Sequence, residues 1–518
     1  MQDQSVLTYF KNKWKQQFSK FDGLVFGIAF LLAMLCHLYM FTHKFINHDD
    51  VDGLYSSCAF GLSSGRWLLE TLCSITGHFS SSWLNGLAGA LCLAGAAVLI
   101  VKMLDLKHLL SASLVSLCLV AFPTVASTYA YMFSSAPYLT ALFLAVAGAF
   151  LIRKERWHTQ IAGGLLVALS MGAYQAYFCL AAVLLVTLLI VDLCKDRFGG
   201  DWKSFFAVAL RYVLFLAAGM AVYYGILQIL LAVTGTELVS YQGISEMGKL
   251  TVESLLRRIV YAYGCYFGFF VGQWLSTFPQ WFAVPAVLSM LTGLVAVAVC
   301  VVRKKLYRKF GTFFFLIVLL LVFPLASNLV FVMAGEETVH LLMIYPLVLT
   351  LLLPALPLDR LSYRAKGRMK KYGVSILAVG LILLQGLCGY ECFYLTNRAY
   401  FAMDITYENT YAYYTKLAAK IELTEGYTPE TPVAVIGEKT INSFVPEPHM
   451  TGVLVGDKAL NIYSWDRILT YYLGTTYCYA SQEQKDVLTA NEIYQQMPVY
   501  PAEGSIRNID GVIAVKLA

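Results

Sequence analysis

Charge is scarce in this chain. Of 518 residues only 14% are Asp, Glu, Lys or Arg, 58% are hydrophobic, and the mean hydropathy is +0.64. So little charge over this length excludes an ordinary soluble enzyme and points to a polytopic membrane protein. The 38 Lys and Arg exceed the 32 Asp and Glu by only six, and a membrane protein needs no nucleic acid to explain that excess. None of the twelve cysteines forms a CxxC pair and most sit in apolar runs, so neither a zinc site nor a disulfide framework is expected. A phosphate loop, an HExxH pair, a nucleophile elbow, an internal repeat and a low-complexity tract are all lacking. These absences remove nucleotide-driven and zinc-hydrolase chemistry and weaken a transporter reading.

What the chain has is apolar runs of bilayer length. They recur at about 24–42, 83–101, 109–126, 136–152, 161–173, 176–193, 206–232, 282–302, 311–333, 340–358 and 374–394, which makes eleven expected spans. Basic residues orient them: 23 Lys and Arg fall in the loops this count places inside, against five (Lys44, Arg66, Lys249, Arg257 and Arg258) in outer segments before residue 395. That asymmetry predicts an inner N-terminus and an outer C-terminus. Residues 1–22, with Lys11, Lys13, Lys15 and Lys20 among Phe10, Trp14 and Phe18, suit a cytoplasmic interfacial helix. Residues 255–274 carry Tyr261, Tyr263, Tyr266 and Trp274 and read as an outer-surface or re-entrant helix, because a crossing there would place the basic run 303–309 outside.

Residues 23–394 thus form the expected transmembrane domain, with a long first outer loop over 43–82. Residues 395–518 are polar and net acidic and read as a folded outer domain. Short apolar runs at 432–436, 452–456 and 511–515 alternate there with helical patterns near 401–422 and 482–496, so a small α/β unit is expected.

The sharpest local signal lies just after the first span, where HKFINHDDVDGLY brings Asp49, Asp50 and Asp52 together beside His43, Lys44 and His48. Carboxylates at a membrane rim can take a proton from an incoming hydroxyl, orient it, or hold a cation; a solvated acidic loop is the plainer alternative. Farther on, SSGRWLLE (63–70) puts Arg66 and Trp67 at the head of a helix. An outward Arg there suits a phosphate, or else a partner among Asp49, Asp50 and Glu70. Arg257 and Arg258 can hold a lipid head group or anchor a helix at the interface. Glu336, Glu337 and His340 sit at the outer end of a hairpin, and Tyr174 and Gln175 in MGAYQAY offer hydrogen-bonding groups that suit sugar hydroxyls or satisfy each other.

With NHDD (47–50), SSGRW (63–67), GAYQAY (172–177) and the tail segment YENTYAYYTKLAAKIELTEGY (407–427), the chain resembles the bacterial and phage type II O-antigen glucosyltransferase family, within the GT-C superfamily of membrane enzymes. The resemblance covers most of the chain. It implies inverting transfer of one sugar, glucose, from a polyprenyl-phosphate donor such as undecaprenyl-phosphate glucose to a hydroxyl of a cell-surface polysaccharide, on the outer face of the bacterial cytoplasmic membrane. The base role falls on Asp49 or Asp50, with Asp50 favoured and Asp49 orienting. His48, Arg66, Trp67, Tyr174, Gln175, Arg257, Arg258, Glu337 and His340 become candidate substrate contacts. No cofactor is required, although Asp49 with Asp50 could hold a divalent cation. Implied partners are membrane lipids, a cytoplasmic synthase that charges the polyprenyl phosphate, a flippase and the glycan acceptor. The competing expectations are a ligase moving a whole lipid-linked glycan and a polysaccharide or lipid transporter.

Overall fold

The computed structural model describes residues 18–43, 48–52, 61–239, 251–271, 282–334, 339–361, 368–437 and 465–517. Among them nine helices are long and apolar enough to cross a membrane: Lys20–Thr42, Ser82–Met103, Met132–Ile152, Gln175–Cys194, Trp202–Thr234, Ala283–Arg303, Phe310–Ser327, Leu341–Arg360 and Lys371–Glu422. Ten result if Leu109–Ala121 and Pro123–Tyr129, bent by 43° where Pro123 interrupts the backbone ladder, are one span. Nine or ten of the eleven expected runs are thus span candidates among the described residues. The remaining stretch forms the 17-residue helix Trp157–Ala173, which ends where Tyr174 turns extended.

The basic loops assigned to one side do gather at one end of the bundle. Lys102 pairs with Asp22 at 2.7 Å, Arg153 with the buried Asp192 at 2.7 Å, and Lys195 with Asp105 at 3.1 Å, while Lys309 reaches Asp196. Asp22 also closes a capping box with Ser19, which starts the first span. Residues 1–17, and with them most of the expected interfacial helix, lie outside the described residues.

The stretch read as a surface or re-entrant helix forms Val252–Val271, which is not among the span candidates. It buries Ala262, Cys265, Tyr266, Phe269 and Phe270 on one face and packs against Phe310–Ser327 and Val330–Ala334. Its other face leaves Leu256, Val260 and Phe267 exposed.

A single helix, Arg368–Glu422, runs 55 residues from the apolar bundle into the polar C-terminal part. It is fastened to the first span, where His37 bonds Tyr400 at 2.7 Å and the Tyr39 hydroxyl donates to Asp404. Beyond it lies a three-stranded sheet in the order β1-β3-β2, with β1 Val433–Ile436, β2 Ile506–Ile509 and β3 Val512–Lys516. β1 runs parallel to β3, pairing Val433 with Ile513. β2 and β3 form a hairpin about the Asp510–Gly511 turn. The apolar runs at 432–436 and 511–515 are thus strands as expected, the run at 452–456 lies outside the described residues, and β2 had no clear signal because IRNI mixes exposed polar with apolar positions. Val433, Val435, Ile513 and Val515 pack on Leu417 and Ile421 of the long helix and on Ile468 and Leu469 of the helix Trp465–Tyr472.

Candidate active site at one end of the bundle

The acidic motif forms a short helix, His48–Asp52, with Asp49 and Asp50 in its first turn, where negative charge suits the helix dipole. Asp50 turns inward and is 1% exposed. Its Oδ1 accepts from Ser80 Oγ at 2.9 Å and from the Phe133 amide at 3.0 Å, and its Oδ2 accepts from the Met132 amide at 3.3 Å. Those two amides belong to the first turn of Met132–Ile152, whose own N-cap, Tyr131, makes no side-chain cap bond. Asp50 therefore caps a helix 82 residues away in sequence and satisfies donors that would otherwise be orphaned. Burial pushes its carboxyl up to about 7 against the pull of these hydrogen bonds, and the neighbouring Asp49 charge adds to the rise. Asp49 is only partly buried.

The SSGRW segment folds onto the GAYQAY hairpin. Gly65 has φ +75°, and a Cβ there would meet Gln175 Nε2 and the Tyr223 hydroxyl at 2.8 Å, so only glycine fits. The Gln175 amide donates to the Ser64 carbonyl at 2.9 Å and to the Tyr223 hydroxyl at 3.1 Å, and Tyr223 donates to the Gly65 carbonyl at 3.0 Å. The Leu68 amide donates to the Gly172 carbonyl at 2.7 Å, and the Trp67 indole lies where a Gly172 Cβ would be, at 2.5 Å. Gln175 and Trp67 thus hold the loop in place.

This clamp aims Arg66. Its Nη1 donates to the Tyr138 hydroxyl at 3.0 Å, and its guanidinium carbon stands 5.3 Å from the centre of the Tyr174 ring, which in turn lies 4.4 Å from that of Tyr138. His340, at the head of the helix that follows the 335–338 segment, is close enough to feel Arg66: burial first, and then the guanidinium charge, hold its imidazole below the ordinary histidine value. Phe133, which holds Asp50, and Tyr138, which holds Arg66, are five residues apart on one helix, an axial rise of about 8 Å. The carboxylates and the Arg66–His340 pair therefore occupy the same end of the bundle.

Of the other expected contacts, Arg258 donates to the Val332 carbonyl at 3.2 Å and ties its helix to Val330–Ala334, while Arg257 is exposed on the Arg258 helix. Glu70 lies 3.7 Å from His78. The His48 side chain, Asp52 beyond its backbone, and Glu336 and Glu337 lie outside the described residues. One expectation is overturned: Cys73, on the helix Leu69–Ile75 in the first loop, is disulfide-bonded. The sequence concealed it because Cys73 sits in an apolar helical pattern. Ser80, Tyr138 and Tyr223 were missed as well, since a lone hydroxyl in an apolar or serine-rich stretch carries no pattern of its own. Among the described residues no group of three or more His, Cys, Asp or Glu could hold a metal ion.

The family model described as Glucosyl transferase GtrII matches residues 38–351, more than half of the chain. The match takes in the acidic helix, the SSGRW loop, the GAYQAY hairpin and His340, and it ends before the long helix. No curated protein and no solved structure matches.

Proposed function

The chain belongs to the glucosyl transferase GtrII family and is a glucosyltransferase of the membrane; from this we propose that it moves glucose from a polyprenyl-phosphate donor to a hydroxyl of a cell-surface glycan, on the outer face of the cytoplasmic membrane. The observation that carries this reading is that two chemically opposite groups lie at one end of Met132–Ile152: the Asp49–Asp50 carboxylates and the Arg66 guanidinium. A donor anchored in the bilayer presents its phosphate at that rim. Arg66, held by the Tyr138 hydroxyl and set over the Tyr174 ring, offers its guanidinium to the phosphate oxygens, with His340 near enough to feel its charge. As the anomeric carbon leaves the phosphate oxygen, the acceptor oxygen bonds to its opposite face and the acceptor proton passes to a carboxylate. One displacement inverts the centre, and the phosphate leaves as an anion stabilised by Arg66.

Burial divides the two carboxylates. Asp50 is enclosed, with three donors on its oxygens, whereas Asp49 is partly open on the same short helix. We assign Asp49 to the acceptor proton and Asp50 to holding Asp49 in place, the reverse of the division favoured from sequence. The disulfide at Cys73 supports an oxidising compartment on this side. The scheme uses no metal or other cofactor. Its pathway neighbours are an enzyme that charges polyprenyl phosphate inside, a flippase that carries the product across, and the polymer that receives the sugar.

The test is sugar transfer by the purified protein, using labelled polyprenyl-phosphate glucose and the isolated surface glycan, with and without EDTA. We expect transfer that EDTA leaves unchanged. Absence of transfer from this donor, together with transfer of an intact lipid-linked oligosaccharide, would establish a ligase instead.

A further inference from the structure

Asp50 and Val51 are consecutive on a five-residue helix, yet they are buried against different parts of the molecule. Asp50 faces the head of Met132–Ile152. Val51, 0% exposed, belongs to the core of the C-terminal unit, with Leu417 and Ile421 of the long helix, Ile468 and Leu469 of Trp465–Tyr472, and the inner faces of β1 and β3. The acidic helix packs directly against Trp465–Tyr472. Neighbouring side chains on a helix diverge by roughly 100°, so a helix of this length can satisfy both neighbours only if it is wedged between them. So short a helix has no stability of its own, and its orientation is set by what it is packed against.

We infer that Val51 is a positioning residue and that the C-terminal unit, through Leu417, Ile421, Ile468 and Leu469, is the seat that sets the angle at which the acidic helix presents Asp49 to the acceptor. The inference rests on the carboxylate assignment made above. It gives the region beyond residue 351, which the family match does not reach, a part in the chemistry. The grip comes from outside that range and the gripped residue from within it.

The variants are Val51→Ala, Val51→Ile and Leu469→Ala, compared with wild type in the full-length protein for kcat, donor KM and the pH profile of kcat. A shift of about 1 Å at a reacting group costs roughly 10²-fold, so Val51→Ala and Leu469→Ala should lose about 10- to 100-fold in kcat with donor KM changed less than about twofold. Val51→Ile keeps the seat filled by a β-branched side chain and should stay within about threefold of wild type.

A loosened seat also admits water to Asp50, so the limb of the profile near pH 7 should move to lower pH. The other titratable or charged groups on elements around it are Asp49 on its own helix, Asp466, Arg467, Tyr471 and Tyr472 on the helix packed against it, Tyr131 and Tyr138 at the head of Met132–Ile152, and Glu70 and His78 on the segment leading to Ser80. A merely structural role would lower the amount of active protein and leave both KM and the limb in place. That outcome, or wild-type kcat in both alanine variants, overturns the inference. Wild-type turnover in Asp49→Asn would instead overturn the carboxylate assignment, so the two failures are distinguishable. If Val51→Ala does not fold, Leu469→Ala, whose side chain lies outside the acidic helix, decides the question.

Discussion

Replacing Asp50 by Asn changes one atom and sets that atom against a backbone amide. Oδ1 accepts from Ser80 and Phe133 and Oδ2 accepts from Met132, so either orientation of the Asn amide turns a donor toward a backbone N–H. Ser80 can rotate its hydroxyl away; Met132 and Phe133 cannot. One buried donor is left orphaned, at a cost of about 1–3 kcal/mol. Asp50→Asn should therefore be less stable than wild type by that amount and lose roughly 10- to 100-fold in kcat as the acidic helix shifts.

Its pH behaviour separates it from Asp49→Asn. The Asp50 carboxyl is pushed up to about 7, so below that pH it is neutral and holds its three donors without charge assistance; above it, the carboxylate grips them more strongly. Wild-type kcat should accordingly rise through about pH 7, and Asp50→Asn should lack that rise. The stability linkage has the opposite sign. A folded pKa raised above the unfolded one means that the neutral carboxyl contributes stability at low pH, which is lost as pH rises through about 7. Asp49→Asn should lose on the order of 10²- to 10⁴-fold in kcat at every pH, with unchanged thermal stability. The assay is initial-rate glucosyl transfer from pH 5.5 to 9, with thermal unfolding in parallel. Asp49→Asn within threefold of wild type, beside an Asp50→Asn variant that has lost all turnover, would refute the division of roles; full activity in both would refute the site.

Two further outcomes follow from the loop that carries Arg66. Gly65→Ala would force an alanine to φ +75° and its Cβ to within 2.8 Å of Gln175 and Tyr223, so it should cost at least about 1–2 kcal/mol in a denaturation series and lower transfer with it; a neutral effect would mean the clamp is not needed. Arg66→Lys keeps the charge and loses the planar fork that bonds Tyr138 and lies over the Tyr174 ring, and donor KM should rise about tenfold or more, with kcat falling less; an unchanged KM would move the phosphate elsewhere.

The spans were legible because bilayer burial demands long apolar runs, which composition alone exposes. The acidic helix and Arg66 were legible too, since charge at the end of an apolar run stands out. What brings them together was not, because Phe133 and Met132 contribute backbone amides, and an amide is the same in every residue. Val51 was invisible for the opposite reason: a valine between two aspartates reads as filler until its neighbours in space are known. The partners of Gln175 were not legible either, since its amide goes to Ser64 and Tyr223, both distant in sequence. The run at 161–173 forms the 17-residue helix Trp157–Ala173, where the apolar run reaches the hairpin before it reaches full length.

The continuous helix from Arg368 to Glu422 has a consequence for how such proteins can diverge or be recombined. It ties the first span at Tyr400 and Asp404, and one face of it, at Tyr414, Leu417 and Ile421, enters the C-terminal core that also encloses Val51. A residue inserted between Tyr400 and Tyr414 would turn everything beyond it by about 100° and lift it by about 1.5 Å, carrying the core off the acidic helix. Length changes there can be absorbed only in whole turns. Exchange of C-terminal units between relatives should therefore succeed when the junction preserves helical phase, however different the sheets beyond it.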